Sequence, residues 1–246
     1  MKTRGVVTAL LSLLLAGQVF GGTEEEVQAA KDRYESSRNS FAVTAGFSTA
    51  VSTEDIYSMP GCVSLSYRHR LWDTSGLGLE LEAESAPGNL PSDMPGYLYG
   101  GILVSYFKQY PTALSVGKLG WALSAGPAWA YFTSNLGNND DGPNGLADGV
   151  GGTVKYELSV SFPLARAIAG KPESWYGKLL DVDLFTKIEW QLAYVPMKAN
   201  KDFSVVTDET TVYKKGDSFH PYSSNSTGGD LFFSGGGIST GVMWVF

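Results

Sequence analysis

The sequence predicts an all-β protein, an eight-stranded antiparallel transmembrane β-barrel. Residues 238–246 alternate between two faces with the period of two that is typical of a β-strand, and seven further segments repeat this period. Beyond residue 16, no apolar run approaches the roughly 20 residues that a membrane helix needs. A strand with one apolar face and one small or polar face fits a closed barrel in lipid, where every backbone amide needs a partner.

The first 22 residues have the pattern of a secretory signal peptide. Lys2 and Arg4 precede an apolar stretch, 5–16, that is too short to span a bilayer, and small residues follow at Gly21 and Gly22. We therefore expect a signal peptide over 1–22, a periplasmic helix or tail over 23–39, and the barrel over 40–246.

The composition agrees with an exported β protein. Gly (30), Tyr (13), Phe (12) and Trp (6) are frequent, and charged residues make up only 17%. The formal charge of −7 becomes −9 when Lys2 and Arg4 are removed, which argues against nucleic acid as a partner. The single Cys62 excludes an internal disulfide and is expected to be a buried thiol.

The first four segments set an apolar row outward against a polar or small row. In the third segment the inward row is acidic, with Glu80, Glu82 and Glu84 after Gly78. The fourth is the least decided because both of its rows are bulky. The predicted outward rows are Phe41, Val43, Ala45, Phe47 and Val51; Val63, Leu65, Tyr67, His69 and Leu71; Leu77, Leu79, Leu81 and Ala83; and Leu98, Ile102, Val104 and Tyr106.

The last four segments repeat the pattern. The inward row is small in the fifth and eighth segments and charged in the sixth and seventh. The predicted outward rows are Leu119, Trp121, Leu123, Ala125, Trp129 and Tyr131; Val154, Tyr156, Leu158, Val160 and Phe162; Val182, Leu184, Ile188, Trp190, Leu192 and Tyr194; and Ile238, Thr240, Val242, Trp244 and Phe246.

An even number of strands leaves both barrel ends on one side of the membrane. The connections over 52–60, 85–96, 134–149 and 196–230 then lie outside, and those over 73–75, 109–118 and 165–178 inside. Pro127 and Pro163 fall within predicted strands, where the missing amide donor indicates a bulge or a strand end.

A soluble barrel of the lipocalin type is the alternative, since its strands also alternate. Its apolar row would face inward and its charged row outward. Aromatic residues at both ends of strands favour the membrane: Trp121 and Tyr131 are separated by roughly 25 Å along a tilted strand, about the height of the apolar band of a membrane barrel.

Two motifs carry a family resemblance. Residues 123–132 (LSAGPAWAYF) and 240–246 (TGVMWVF), with the signal peptide and eight strands, resemble small outer-membrane barrels of the OmpA, OmpX and OmpW type. The resemblance implies the outer membrane of a diderm bacterium, with both termini periplasmic, and partners in outer-membrane lipid and the barrel-assembly machinery. It also implies that Val242, Trp244 and Phe246 form the assembly signal.

Charged residues lie in two groups on the inward rows. An eight-stranded lumen is only wide enough for side chains, and an unpaired charge there costs too much, so we expect ion pairs that fill the core. The first group is Arg68, Arg70, Glu80, Glu82 and Glu84, and the second is Lys155, Glu157, Asp183, Lys187 and Glu189.

Small inward residues are concentrated on the first, fifth and eighth segments. Gly46, Gly126, Gly235, Gly237 and Gly241 mark a seam, along which we expect either a slit or room for other side chains to cross the lumen.

Two functions remain open. A narrow channel for passive passage of small, including hydrophobic, solutes is favoured by the seam, and the resemblance implies the same because OmpW-like proteins are associated with such passage. The alternative is a surface adhesin, receptor or structural barrel acting on a host-surface ligand through its loops, especially 196–230. We predict no enzymatic activity and no cofactor, because the only histidines, His69 and His220, lack a Ser and carboxylate arrangement around them.

Overall fold

Eight antiparallel strands close into a barrel in the computed structural model, which describes residues 28, 32, 35–50, 60–86, 96–111, 118–133, 145–163, 182–206, 210–219 and 230–246. The predicted fold class is confirmed. The signal peptide predicted over 1–22 lies outside the described residues. The barrel strands are β1 (Asn39–Ala50), β2 (Gly61–Arg70), β3 (Ser75–Ala86), β4 (Gly96–Pro111), β5 (Lys118–Thr133), β6 (Ala147–Pro163), β7 (Val182–Ala199) and β10 (Asp230–Val245).

The remaining two strands, β8 (Phe203–Val206) and β9 (Thr210–Tyr213), form a separate two-stranded sheet between β7 and β10. Before β1, Gln28, Asp32, Glu35 and Ser36 are helical. No helix in the described part of the chain is both long enough and apolar enough to cross a membrane.

The ring closes between β1 and β10. At one end of this junction Asn39 N donates to Phe246 O at 2.8 Å, and Phe246 N donates to Asn39 O at 2.9 Å. Stepping once around the ring through paired residues, starting at Ser40, leads back to β1 at Ala50, ten residues further along. Eight strands with this stagger tilt by roughly 40°, and the sheet has no free edge.

The outer face of the barrel is apolar and the inner face carries the charges. Leu65, Leu79, Ile102 and Leu123 are each more than 40% exposed on the outside. Seven of the predicted lumen charges are buried within, namely Arg68, Glu80, Lys155, Glu157, Asp183, Lys187 and Glu189. This is the reverse of a soluble barrel, and it is the arrangement that a lipid environment requires.

Four consecutive strands are longer than the sequence pattern indicates. β4 to β7 have 16, 16, 17 and 18 residues, whereas β1 to β3 have 12, 10 and 12. The prediction of a loop from Pro196 onward is wrong at its start, because β7 continues to Ala199. The cause is that Pro196 faces outward and interrupts only the ladder to β6, while Val195, Met197 and Ala199 continue the buried row.

The two strand prolines behave differently. Pro163 is the last residue of β6, as predicted. The predicted bulge or strand end at Pro127 is wrong: the β5 register with β6 passes through Pro127 opposite Gly152 without a shift. The pairing of β5 with β4 is interrupted between Gly101 and Val104 and then resumes in the same register. This interruption is the effect of the one amide donor that Pro127 lacks.

Three glycines of the predicted seam lie directly against a neighbouring strand. A Cβ atom would lie 1.8 Å from Val43 O at Gly241, 1.9 Å from Ile102 O at Gly126 and 2.0 Å from Ile238 O at Gly46. At these positions glycine permits close approach of backbones and leaves no slit.

We expect Gly126→Ala to destabilise the barrel, whereas Gly152→Ala on the facing strand should not. The nearest atom to a Cβ at Gly152 is 3.7 Å away, so a methyl group fits there. The overpacked Gly126→Ala variant should lose about 2 kcal/mol or more of unfolding free energy. Urea unfolding in detergent micelles measures both variants, and equal stabilities would contradict the close-approach argument.

Candidate functional site

An ion pair crosses the lumen near its lower end, which is the end at which β2 meets β3. Arg68 on β2 donates from Nη2 to both carboxylate oxygens of Glu157 on β6, at 2.7 and 2.8 Å. β2 and β6 are opposite each other in the ring of eight. The guanidinium carbon also lies 5.6 Å from the centroid of Phe107 and 5.4 Å from that of Phe185, so the cation is held between two aromatic rings.

A second cluster fills the middle of the lumen around Glu80 on β3. Its Oε1 accepts from Lys155 Nζ and from Lys187 Nζ, each at 2.7 Å. Lys155 also donates to Glu82 at 2.6 Å, and Lys187 lies 3.0 Å from Glu189 Oε2. The side chain of Lys155 has no solvent exposure. We call these residues, with Arg68 and Glu157, the charge plug.

The charge plug joins seven of the ten charges that the sequence places in the lumen. Its members pair mainly across the lumen, and the pairs link the two groups that the sequence keeps apart. A third pair, Lys118 to Asp183 at 3.4 Å, lies near the same end as Arg68. Lys118 was missed from the sequence because it precedes the fifth segment, although it has the inward parity of Gly120 and Ala122.

The two remaining predicted lumen charges lie at the ends of the barrel, outside the plug. Arg70 donates to the backbone oxygens of Glu35 at 2.9 Å and Asp73 at 3.4 Å, at the end where β2 meets β3. Glu84 lies near the opposite end and accepts a hydrogen bond from the Tyr97 hydroxyl.

Uncharged side chains close the spaces above and below the plug. Above it, Gln191 Nε2 lies 2.6 Å from the Tyr99 hydroxyl and 2.9 Å from Glu82 Oε1. Below it, Phe185 packs in a buried cluster with Ala42, Met243 and Val245. The sequence did not single out Tyr99, because both rows of the fourth segment are bulky.

A recess lies beside the plug on the β1 and β10 side. Its upper chamber opens to solvent, has a cavity volume of about 20 Å³, enough for one water-sized group, and is lined by Ser48, Glu84, Tyr99, Glu189, Gln191 and Gly235 to Gly237. A lower chamber of about 10 Å³ shares Glu84, Tyr99, Glu189 and Gln191 and extends to Cys62, Lys187 and Ser239. The seam residues Gly235 and Gly237 therefore line this recess.

The long ends of β4 to β7 form a rim with its own apolar core. Phe203 of β8 and Tyr213 of β9 stack at a centroid distance of 5.2 Å, and the Phe219 ring meets both edge-on at 5.3 and 5.1 Å. The Phe219 ring also contacts the Phe132 ring of β5 edge-on, with 5.2 Å between the ring centroids. Phe219 N donates to Met197 O at 3.0 Å, and Ala199 N donates to Asp217 O at 2.9 Å, so the segment after the β8–β9 hairpin is tied to the end of β7. We call this part the rim.

The residues of the predicted assembly signal lie on the outer face of β10 and just beyond it. Trp244 is 39% exposed and Phe246 61%, and the Trp244 ring lies 6.0 Å from that of Phe41 on β1. Val242 is half-buried in the same outward row. Their recognition by the assembly machinery remains a prediction.

Neither His69 nor Cys62 forms a catalytic arrangement. His69 Nδ1 lies 2.8 Å from Asn39 Oδ1, which also accepts from the Tyr67 hydroxyl. Cys62 is a free, half-buried thiol facing the recess. His220 lies outside the described residues. Among the residues that the structure describes, no His, Cys, Asp and Glu cluster is arranged to hold a metal ion.

Comparison with known proteins finds likenesses among solved structures only. No family model and no curated protein matches the chain. Neisserial surface protein A is 14% identical with a TM-score of 0.48, and Ail, the attachment invasion locus protein of Yersinia pestis, is 12% identical with a TM-score of 0.38. Each match covers 85% of this chain and 96% of the other. The barrel fold is therefore assigned from the strand pairing within this chain and not from these likenesses.

We expect Arg68→Lys to destabilise the barrel and Arg70→Lys to leave it nearly unchanged. A lysine at position 68 reaches less far than an arginine and lacks the planar guanidinium that lies between the rings of Phe107 and Phe185, so the bond to Glu157 is weakened at a cost of about 2 kcal/mol. Arg70 donates to backbone oxygens at the barrel end, and a lysine keeps the charge and can donate to the same oxygens, so its replacement should cost less than about 0.5 kcal/mol. Urea unfolding in detergent micelles, followed by tryptophan fluorescence, measures the unfolding free energy of both variants. Equal losses in the two variants would contradict the central role of Arg68.

Proposed function

We propose that this protein is an outer-membrane barrel with a closed lumen, which acts outside the cell through its rim. The apolar outer face supports membrane insertion, and the predicted signal peptide supports export. The observation that carries the proposal is the charge plug. Its side chains span the lumen from β2 to β6 and from β3 to β7, which leaves the barrel as an anchor.

The rim has the properties of a binding surface on a rigid support. Its hairpin is held by the packed rings of Phe203, Tyr213 and Phe219, so little conformational entropy is lost when a ligand binds its outer side. Lys198, Lys214 and Lys215 are exposed on that side. Two carboxylates lie nearby and accept hydrogen bonds from the backbone: Asp217 from the amide of Lys214, and Asp202 from the amide of Lys215. This chemistry favours an acidic ligand on a host surface.

Conductance of small solutes is the second candidate, and the recess is the observation in its favour. The recess extends from Glu84 and Ser48 to Ser239 and Glu189. A solute that passes from the recess through the barrel has to separate Lys187 from Glu80 and Glu189, which breaks buried ion pairs. The closed barrel is therefore the preferred state.

We expect purified protein to give no stable conductance steps in planar bilayers and no solute leak from liposomes. The reason is that the buried ion pairs of the charge plug cross the lumen. A large-pore porin reconstituted in parallel is the control for leak. Insertion is verified by the shift in gel mobility on boiling, and reproducible unitary steps from inserted protein would favour the channel.

We expect charge reversal on the rim to weaken attachment. Bacteria that display a Lys214→Glu, Lys215→Glu double variant should adhere to host cells at about one third of the wild-type level or less, because rim charges govern the encounter with an acidic ligand. The Lys214→Arg, Lys215→Arg variant keeps the charge and is the matched control. Wild-type adhesion by the Glu variant and by a deletion of residues 201–217 would count against the rim as the working surface.

A further inference from the structure

The recess beside the charge plug has an excess of negative charge at its walls. Glu82, Glu84 and Glu189 line it, and Lys187 is the one cation in its lining. Glu189 lies beside Lys187, and Glu82 accepts from Lys155. Glu84 accepts a hydrogen bond from the Tyr97 hydroxyl, and none of the ion pairs among the described residues includes it.

A buried hydroxyl group in the same recess has no hydrogen-bond partner. Ser239 is only 2% exposed, it lines the lower chamber, and its Oγ is unpaired in the structure. Glu189 lines both chambers, and its Oε2 is 3.0 Å from Lys187 Nζ and 3.5 Å from Lys155 Nζ, so it brings a paired negative charge to the recess. Buried polar atoms without partners are rare in folded proteins, and the unpaired Ser239 hydroxyl in an acidic recess indicates a bound polar group.

We propose that this recess binds a small organic cation through a primary ammonium group. An ammonium has three donors and no acceptor, which suits a site that offers the Ser239 hydroxyl and the carboxylates of Glu84 and Glu189. A chelated metal ion fits less well, because the described acidic residues form no metal-binding cluster. This inference does not depend on the rim or on the ligand proposed for it.

Glycines set the width of the upper chamber. Gly235 to Gly237 contribute no side chains to its wall. A Cβ at Gly237 would lie 3.2 Å from Glu189 Cγ, so a methyl group there displaces the carboxylate. A Cβ at Gly236 would meet nothing closer than 3.7 Å, and its nearest side chain is that of Trp190 on the outer face. The two positions therefore provide a matched pair of variants.

The test is a titration of isotope-labelled full-length protein in lipid nanodiscs with ethylammonium chloride, followed by the backbone amide resonances of Gly237, Ser239 and Gln191. We expect saturable shifts below about 100 mM, since a solvent-accessible ammonium site of this kind has an affinity in the millimolar range. Ethanol, the neutral analogue, and sodium chloride at equal ionic strength should not reproduce them. Absence of saturable shifts, or equal shifts with ethanol or sodium chloride, would mean that water or charge screening alone accounts for the recess and would overturn the proposal.

Variants locate the site. Glu84→Gln should weaken ethylammonium binding about tenfold, because it removes a charge-assisted hydrogen bond. Asp73→Asn, at the opposite end of the barrel, should leave binding unchanged. Gly237→Ala should weaken binding, and Gly236→Ala should not. If Glu84→Gln does not fold, the two glycine variants and the comparison with ethanol still test the site. Equal ethylammonium affinities in Gly236→Ala and Gly237→Ala would overturn the assignment of the recess as the binding site.

Cys62 offers an independent readout, because it is the single cysteine and it lines the lower chamber. A cationic aminoethyl methanethiosulfonate should modify it at least about fivefold faster than the anionic sulfonatoethyl reagent, since the acidic walls concentrate cations. Intact-mass spectrometry measures both rates. A faster reaction with the anionic reagent would contradict a cation-binding recess.

Discussion

Closure of the sheet at a stagger of ten residues is the constraint on which the rest of the structure depends. It gives each strand two partners, and it places β2 opposite β6 and β3 opposite β7. Because the ring is narrow, inward side chains from opposite strands meet, and the long chains of Arg68, Lys155 and Lys187 reach carboxylates across the lumen. The glycines at 46, 126 and 241 belong to the same constraint, since they let adjacent backbones approach closely.

The charge plug also determines the register of the strands. A shift of one residue moves every side chain of a strand to the opposite face, and in β3 it would carry Glu80 and Glu82 into lipid and Leu79 and Leu81 into the lumen. Buried ion pairs add little net stability compared with an apolar core. Their contribution here is to make wrong registers costly.

The sequence predicts the strands and which side chains face lipid or lumen, but it does not predict which charged side chains pair across the lumen. Leu77 to Glu84 alternate so strictly that the lipid face of β3 follows from the sequence alone. Partners such as Arg68 and Glu157 depend on the stagger, which no local pattern contains. The upper parts of β6 and β7 are not recognisable as strands from the sequence, because Gly149, Gly151 and Pro196 interrupt the alternation. Tyr99 does not stand out either, because β4 is bulky on both faces.

The separation of paired charges along the chain has a consequence for the order of assembly. Arg68 and Glu157 are 89 residues apart, and Lys187 is 107 residues from Glu80. A nascent sheet of β2 to β5 therefore has Arg68 and Glu80 without their opposite-strand partners, and burying that sheet alone would desolvate uncompensated charges. Insertion of the apolar face is consequently coupled to arrival of β6 and β7, which makes entry into the bilayer a late and cooperative event that follows the folding of most of the chain.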